Sequence, residues 1–345
     1  MNYERSREFL KELEKPTIIY HKDADGVCSS ALLQEMVSGN ALPNNGPGIQ
    51  LGEDLLESLK DSESVVFLDI PVDQLSVTEE LDQKVFVLDH HPPEKDLTDG
   101  SILHENPRFN DAEKYLPASY LVFRLLEDKK EVAWKAGVGV VGDHGVEDCQ
   151  DLFEIIAEEN PDVVREGEYT YEDIKEGKLG MIADMIEASK VVEGLDGIRK
   201  AQKVMKEASE PNDVFSTDLK DFYEIYMKEL EIEKEKFERE AEYFSKSNSY
   251  LYEINSEYSL VSDLATSMSN QKPEAVVIVY ERSREGMKIS GRCQSGRIDV
   301  SEIIKYAVKG HGSGGGHPQA AGGFVKKDKE KVALERFRER LEGVS

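Results

Sequence analysis

Short apolar runs that end in acidic or histidine residues recur along the first third of the chain. Three runs show this pattern: Thr17–Tyr20 before the residues HKDADG, Ser64–Leu68 before Asp69, and Val85–Leu88 before Asp89, His90 and His91. Runs of four or five mostly β-branched and aromatic residues are typical of buried strands. Pro92 and Pro93 cannot continue a central strand, so the chain must turn after the third run. The pattern predicts three strands with metal-binding or proton-transferring side chains at their carboxyl ends.

Helical periodicity fills the intervals between these strands. The predicted helices are an amphipathic amino-terminal segment over residues 1–15, Ser29–Val37, Glu53–Lys60, Pro117–Leu126 and Glu131–Val141. A further strand is predicted at Ile102–His104, and Asn40–Gly48 is predicted to be a loop because it is rich in Pro, Gly and Asn. Alternating strands and helices favour βαβ units with a parallel sheet. Ligands of such sheets bind at the carboxyl ends of the strands, so the three runs suggest one site.

The pattern changes after about Leu152. Residues up to Ala208 are helical and acidic, Pro211 interrupts them, and Asp221–Ser247 predicts one long helix with apolar residues on one face. Three later strands are predicted: Tyr258–Val261, Ala275–Tyr280 and Met287–Gly291. The predicted fold class is α/β, with a parallel-sheet domain over residues 1–208, a helical connector over 209–247 and a smaller α+β carboxyl-terminal domain over 248–345.

Composition narrows the classes of function. The 345 residues carry a formal net charge of -27, which argues against a broad nucleic-acid surface because phosphate affinity comes from Lys and Arg. A local basic groove or a metal-filled pocket remains compatible with that charge. Cys28, Cys149 and Cys293 are far apart and predict buried free thiols in a reducing compartment. No signal peptide and no apolar run of ~20 residues is evident, so we expect a soluble, cytoplasmic protein without a membrane span.

The acidic loops predict a metal site. The carboxylates and imidazole expected at one edge are those of Asp23, Asp25, Asp69, Asp89, His90 and Asp143. Such ligands suit Mn²⁺ or Mg²⁺, and the absence of Cys ligands argues against structural zinc. Two cations about 3.5–4 Å apart can activate a water and stabilise the leaving oxygen of a phosphoryl centre. Each Asp alone is more often a helix cap or turn residue, but their joint arrangement favours metal.

A second signal is the glycine-rich stretch GSGGGHPQAAG over residues 312–322. Glycines let backbone amides approach a phosphate, and the Ala-rich residues that follow are predicted to open a helix whose amino end favours anions. His317 lies within this stretch, and Ser290, Arg292 and Arg297 upstream offer a further phosphate grip. A glycine run is as often a flexible turn, and Arg292 is equally a surface residue at the end of a strand.

Five motifs in a fixed order carry a family resemblance. HKDADG, FLDIP, LDHHPP and GDHG, followed by GSGGGHPQAAG, resemble the DHH phosphoesterase superfamily, and among its members the archaeal RecJ-like single-strand exonucleases. The resemblance covers residues 10–190, as the DHH domain, and residues 248–345, as its associated carboxyl-terminal domain. The DHH tripeptide alone is a weak signal, whereas four ordered acidic motifs and a distal glycine-histidine motif are specific.

The resemblance implies a role for each motif residue. Asp69 would bridge two Mn²⁺ (or Mg²⁺) ions. The remaining metal ligands would be His21 and Asp23 for one ion, and Asp25, His90 and Asp143 for the other. The catalytic pair would be His91, facing the scissile phosphate, and Asp89, orienting the histidines. The substrate's phosphate end would be held by Arg292, Gly315, Gly316 and His317.

The function implied is a metal-dependent phosphodiesterase, an exonuclease that hydrolyses single-stranded DNA or RNA from an end. One alternative acts on short oligonucleotides, small phosphate esters or cyclic dinucleotides; the acidic surface and the lack of room for the OB-type domain of bacterial RecJ favour it. A second alternative is a replisome component, because the superfamily includes a eukaryotic helicase subunit and archaeal relatives that bind the GINS complex. Intact acidic motifs favour an enzyme over a pure scaffold.

Overall fold

The computed structural model describes residues 1–46, 50–165, 167 and 169–343. The chain divides into two compact units, Met1–Glu224 and Ile225–Ser345. The predicted division into a domain over residues 1–208, a connector over 209–247 and a domain over 248–345 remains a prediction. Within the described residues, no helix combines the length and apolar character that a membrane crossing requires.

The first unit alternates strands and helices. Its elements are α1 (Tyr3–Lys11), β1 (Thr17–Tyr20), α2 (Ala24–Leu33), β2 (Asn40–Pro43), α3 (Glu53–Lys60), β3 (Ser64–Leu68), β4 (Lys84–Leu88), β5 (Ile102–Glu105), α4 (Ala118–Leu125), α5 (Ala133–Gly142), α6 (Gln150–Glu159), α7 (Tyr171–Lys175), α8 (Lys178–Glu207) and α9 (Pro211–Val214). All five strands are parallel, in the order β2-β1-β3-β4-β5. The predicted parallel sheet is confirmed.

Both faces of this sheet are covered by apolar packing. Successive residues of β1 face opposite sides of the sheet: Ile18 and Ile19 are both fully buried, each in a different apolar cluster. One cluster joins the sheet to α2, α4, α5 and α8, and the other joins it to α3. Strands covered on both sides are apolar throughout, which explains why the sequence showed unbroken apolar runs.

Two local predictions in this unit are wrong. The segment Asn40–Gly48 begins with a strand, because Asn40–Pro43 pairs with β1; Pro47 and Gly48 lie outside the described residues. Helix α2 begins five residues earlier than the predicted Ser29, because Asp23 caps it and accepts a hydrogen bond from the amide of Gly26. The predicted free, buried thiols of Cys28, Cys149 and Cys293 are confirmed.

Helix α10 (Asp218–Glu240) runs across the boundary between the units. The other elements of the second unit are β6 (Glu242–Phe244), β7 (Ser249–Glu253), α11 (Val261–Gln271), β8 (Val276–Arg282), β9 (Gly286–Arg292), α12 (Val300–Val308), β10 (Gly312–Gly316), β11 (Ala320–Lys326) and α13 (Glu330–Gly343). They build a six-stranded mixed sheet in the order β10-β11-β9-β8-β7-β6, in which only β7 and β8 are parallel neighbours. The predicted α+β class is confirmed.

Three boundaries in the second unit differ from prediction. The helix predicted to reach Ser247 ends at Glu240, because Glu242–Phe244 pairs with β7 as a strand. The segment Tyr258–Val261 is not a strand; Val261 starts helix α11 instead. No helix follows the glycine run: β10 and β11 form a hairpin, and the Ala-rich residues are its second strand.

Candidate metal centre

Three neighbouring strands of the first sheet end in register. Their last residues pair directly across the sheet: Tyr20, Leu68 and Leu88. The ladder continues for one more residue, since the amide of His21 donates to the Leu68 carbonyl and that of Asp69 to the Leu88 carbonyl. The sheet order places β1 beside β3 where the chain reverses its direction of winding, which is the usual ligand position in such sheets. We call the polar residues collected here the acidic cluster: His21, Asp23, Asp25, Asp69, Asp89, His90, His91 and Asp143.

Asp69 lies at the centre of the acidic cluster. Its carboxylate is within 3.2 Å of His90 Nε2, 3.8 Å of His91 Nδ1 and 3.5 Å of His21 Nδ1. Its backbone is left-handed (φ 60°), a conformation that Asp adopts more readily than most residues do. The carboxylate is 1% exposed, and its Oδ1 accepts no hydrogen bond within the described part of the chain. Such an oxygen is available to a cation.

The turn between β1 and α2 holds His21 against Asp23. Asp23 Oδ1 accepts a hydrogen bond from Gly26 N (2.9 Å), which leaves Oδ2 to contact His21 Nδ1. A Cβ on Gly26 would lie 2.2 Å from the His21 carbonyl oxygen, so only glycine fits. Burial lowers the pKa of His21, but its contacts with Asp23 and Asp69 outweigh burial and raise that pKa to about 11. Without metal, His21 is therefore protonated at neutral pH.

Asp25 is fixed by the amino end of helix α4. Its two carboxylate oxygens accept hydrogen bonds from Ala118 N (2.6 Å) and Ser119 N (2.9 Å). These amides begin a helix and have no partner within it, so the carboxylate caps α4. Burial, followed by repulsion from Asp69 and Asp143, nevertheless raises the pKa of Asp25 well above its usual range. Each oxygen keeps a second lone pair for a cation.

Asp143 follows helix α5 and is held by Tyr115. The Tyr115 hydroxyl lies 2.7 Å from Asp143 Oδ2 and 2.8 Å from its carbonyl oxygen. His90 Nε2 is 3.2 Å from the same Oδ2, and its ring packs edge-on against Tyr115. Burial raises the pKa of Asp143 to about 6. Attraction to His90 lowers this pKa, and repulsion from Asp69 raises it by less. Tyr115 thus contacts both predicted ligands that lie beside Asp25.

His91 is oriented by two partners. Its Nδ1 lies 2.7 Å from Asp89 Oδ1, and its carbonyl oxygen accepts a hydrogen bond from Asn106 Nδ2 (2.9 Å). Asp89 is fully buried at the end of β4. A buried carboxylate that holds one imidazole nitrogen fixes the ring and directs the other nitrogen outward.

The donor atoms fit hard divalent cations. Three groups each bring their ligand atoms within 4.8 Å of one another: His21, Asp23 and Asp69; Asp25, His90 and Asp143; Asp69, His90 and His91. The groups overlap at Asp69 and His90, and they contain only carboxylate oxygens and imidazole nitrogens. Those donors suit Mn²⁺ and Mg²⁺. Cations would also relieve the repulsion that raises the pKa values of Asp25 and Asp143.

The structure therefore brings together all eight residues predicted for metal binding and catalysis. Two of its three groups contain the ligands expected around each ion. The third group adds His91, which was predicted to face the phosphate, at ligand distance from Asp69 and His90. The individual roles of the eight residues remain predictions.

Three of the four predicted phosphate-binding residues line a separate cavity in the second unit: Arg292, Gly315 and Gly316. This cavity of about 290 Å³, called here the Arg292 cavity, includes Ser262, Ser290, Arg292, Gly315, Gly316 and Gly322 in its lining. The Arg292 guanidinium donates to Thr266 Oγ1 (3.1 Å), Ser290 Oγ (3.1 Å) and Ser262 Oγ (3.0 Å). Neutral hydroxyls hold its fork in place without neutralising its charge. Such an arrangement can receive a phosphate.

Two other predicted contributors are placed differently. His317 lies in the exposed turn between β10 and β11, where its amide donates to the Ala320 carbonyl, and it does not line the cavity. Arg297 donates to the Ser247 carbonyl (2.8 Å) and is also absent from the lining. The cavity is thus lined by Arg292, Gly315 and Gly316, whereas Arg297 hydrogen-bonds the backbone at Ser247.

The sequence analysis missed several supporting residues. Tyr115 and Asn106 hold Asp143 and His91, and Ser262 and Thr266 hold Arg292. Asn106 had a usable signal, because it lies two residues after the predicted strand Ile102–His104, at the edge where the acidic loops end. Tyr115 had none: it lies 28 residues before Asp143, in an irregular segment.

Two family models show the class of protein to which the chain belongs, that of phosphoesterases. The sequence model "DHH family, N-terminal domain" matches residues 15–158, and the model "DHHA1 domain" matches residues 248–343. Together the two models cover more than half of the chain, which therefore belongs to the DHH family; members of that family are phosphoesterases. A comparison with curated proteins gives no match.

Solved structures share the whole fold at low sequence identity. RecJ in complex with Mn²⁺ from Thermus thermophilus is 17% identical, with a TM-score of 0.72 over 99% of this chain and 54% of that one. Exonuclease RecJ bound to manganese is 16% identical (TM-score 0.73; 100% and 95% of the two chains). CDC45 from Entamoeba histolytica is 12% identical (TM-score 0.56; 98% and 97%). The chain spans about half the length of the Thermus protein.

Proposed function

We propose that this protein is a metal-dependent phosphodiesterase that hydrolyses single-stranded DNA or RNA from an end. The observation that carries this proposal is the overlap of three ligand groups at Asp69 and His90. Overlapping groups allow two cations to lie close together, which is the arrangement of many phosphoryl-transfer sites. Similar structures described as RecJ bound to manganese, or in complex with Mn²⁺, support this interpretation.

Bound Mn²⁺ or Mg²⁺ would act as a Lewis acid and lower the pKa of a water molecule towards neutrality. The protein's own residues do the rest. Asp69, with Asp23 and Asp25, fixes the cation positions. His91, oriented by Asp89, presents an imidazole that can hydrogen-bond a phosphate oxygen or carry a proton.

The Arg292 cavity supports a nucleotide chain as the substrate. Its guanidinium fork and the glycine backbone of β10 and β11 suit a phosphate group and have no base-specific shape. With a net charge of -27, the protein offers few cations to a long strand. That charge favours short oligonucleotides, small phosphate esters or cyclic dinucleotides as the second candidate. A replisome role, suggested by the similarity to CDC45, is a further candidate compatible with catalysis.

A time course with end-labelled oligomers tests the proposal. DNA and RNA of graded length are incubated with the protein and Mn²⁺, with Mg²⁺, and with chelator. We expect mononucleotides to accumulate from one end, only with metal. Internal cleavage would contradict attack from an end, and hydrolysis of the shortest oligomers alone would favour the second candidate. Absence of hydrolysis with every metal would overturn the enzymatic proposal and leave the replisome role.

A further inference from the structure

One face of the second sheet extends beyond the Arg292 cavity. Ser313 on β10 pairs with Phe324 on β11, and Phe324 pairs with Lys288 on β9. Residues that pair directly across antiparallel strands point to the same face. The next residues on that face, two positions away on each strand, are Gly315, Gly322 and Ser290. All three line the Arg292 cavity. The two sets are therefore about 7 Å apart on one continuous surface.

Phe324 is an exposed aromatic side chain on this surface. It remains 37% accessible, although the sheet's other face buries an apolar core. Its ring tip lies over Gly286: a Cβ built on Gly286 would be 2.7 Å from Phe324 Cζ. Glycine lets the ring lie down on the sheet, which keeps its orientation fixed while part of it faces solvent.

Basic residues line a groove together with Phe324. A groove of about 560 Å³, called here the Phe324 groove, is lined by Gly310, His311, Gly312, Ser313, Phe324, Lys326, Asp328 and Lys329. Asp328 is its one acid and lies 3.0 Å from Lys329 Nζ. His311 Nδ1 is buried and makes no hydrogen bond within the described residues. A locally basic groove is unusual in a protein of net charge -27 and is complementary to an anion.

We propose that the Phe324 groove binds a second nucleotide of a single-stranded oligonucleotide. Its base stacks on Phe324, and its phosphate contacts Lys326 and Lys329. The neighbouring nucleotide of the same strand occupies the Arg292 cavity. This inference rests on the proposed function and narrows it to substrates of two or more nucleotides. An aromatic ring beside cations is the usual means of binding single strands without sequence preference.

A peptide is the less favoured occupant. Strand β10 is an edge strand, which can pair with an extended peptide through its backbone. Such pairing needs pockets for alternate side chains, whereas β10 carries four glycines and one serine. Its cations and aromatic ring fit a nucleotide better.

The test measures binding by fluorescence anisotropy in the full chain carrying Asp69→Asn, so that the oligomers stay intact. Labelled DNA pentamers are used with all bases present, or with one base replaced by an abasic spacer at each position in turn. Phe324→Ala should weaken binding of the intact pentamer between about fivefold and about 100-fold, since stacking one base contributes about 1–3 kcal/mol. For one spacer position, the variant and its parent should bind equally.

Three further variants separate stacking from other effects. Phe324→Leu keeps Gly286 covered and should still weaken binding of the intact pentamer. Lys326→Ala should weaken binding to intact and abasic pentamers alike. Tyr306→Ala removes another exposed aromatic ring (40% accessible) on α12 and should change affinity less than about twofold. A mononucleotide, which can fill the Arg292 cavity alone, should bind all four variants, Phe324→Ala included, as it binds their parent.

Several results would overturn the inference. These are full affinity in Phe324→Ala, full restoration by leucine, an equal loss for the mononucleotide, and no spacer position that cancels the loss. Binding of an acidic peptide at the same affinity would assign the groove to the peptide. Hydrolysis is measured separately on the wild-type chain. Stacking without hydrolysis would contradict only the proposed function, and hydrolysis without stacking would contradict only this inference.

Discussion

The acidic cluster and the Arg292 cavity hold their polar groups in opposite ways. Asp25, Asp69 and Asp89 are at most 1% exposed; helix amides hold the oxygens of Asp25, and the His91 imidazole holds one oxygen of Asp89. In the cavity, the groups offered are an arginine fork held by hydroxyls and a glycine backbone open to solvent. Buried carboxylates repel one another and need a cation, whereas the cavity is complete without a ligand. We therefore expect a single substitution to have a large effect in the acidic cluster and a smaller effect in the Arg292 cavity.

The largest expected effect is in the cluster. Asp69→Ala should lower phosphodiester hydrolysis at least ~10³-fold, because preorganised electrostatic groups contribute on that scale. Turnover of end-labelled oligomers measures this, with circular dichroism to verify folding. Asp82→Ala, which removes an exposed carboxylate before β4, is the matched control and should hydrolyse normally. Near-wild-type turnover in Asp69→Ala would contradict the metal assignment.

A smaller effect is expected in the cavity. Arg292→Ala should weaken oligonucleotide binding about 10- to 100-fold, because hydrogen bonds between charged groups contribute about 1.5–3 kcal/mol. Mn²⁺ affinity, measured by calorimetry, should stay unchanged. Arg297→Ala removes an arginine whose side chain donates to the backbone instead, and its oligonucleotide affinity should match wild type. Equal losses in both variants would mean that charge alone, without the cavity, accounts for binding.

Two glycines test the difference in packing. A Cβ on Gly139 would lie 2.3 Å from Ser119 Oγ and 2.9 Å from Asp25 Oδ1, while a Cβ on Gly315 would meet nothing within 4 Å. Gly139→Ala should therefore lower the free energy of unfolding by about 1–3 kcal/mol. Gly315→Ala should change it by less than about 0.5 kcal/mol. Urea unfolding of both variants measures these changes; equal stability would show that the cluster has room to relax.

The smallest expected change concerns Tyr115. Tyr115→Phe keeps the ring against His90 and removes the hydroxyl that holds Asp143. Mn²⁺ affinity should fall about tenfold, at the lower end for residues that orient metal ligands. Calorimetric titration measures this affinity. Tyr120→Phe, which removes a hydroxyl bonded to Asp151 instead, is the control and should bind Mn²⁺ as wild type does.

The strand ends could be predicted because local chemistry determines them. Val85–Leu88 is apolar on both faces, and two prolines follow soon after it, so the position of Asp89 was fixed by residues near it in sequence. The same holds for Asp69 and His21. Their grouping follows from parallel register, which the alternation of strands and helices already suggested.

The glycine strands could not be predicted, because their reason is distant in sequence. A Cβ on Gly314 would lie 2.8 Å from Ile304, and one on Gly323 would lie 2.9 Å from the same side chain. Helix α12 packs so closely on Gly314 and Gly323 that a side chain at either position is excluded. A glycine run that normally indicates a loop is here a requirement of helix-on-sheet packing. Tyr115 was unpredictable for a similar reason, since its partner Asp143 follows a different helix.

The left-handed backbone of Asp69 also limits how this protein can evolve. Apart from glycine, Asn and Asp are the residues that enter this conformation most readily, while β-branched residues are strongly disfavoured. A lineage that lost metal dependence would be released from the need for a carboxylate but would still have to make the same turn after β3. Inactive descendants should therefore carry Asn or Gly at this position. Asn has nearly the same shape as Asp, so the single substitution Asp69→Asn would separate a metal-dependent protein from an inactive one with the same turn.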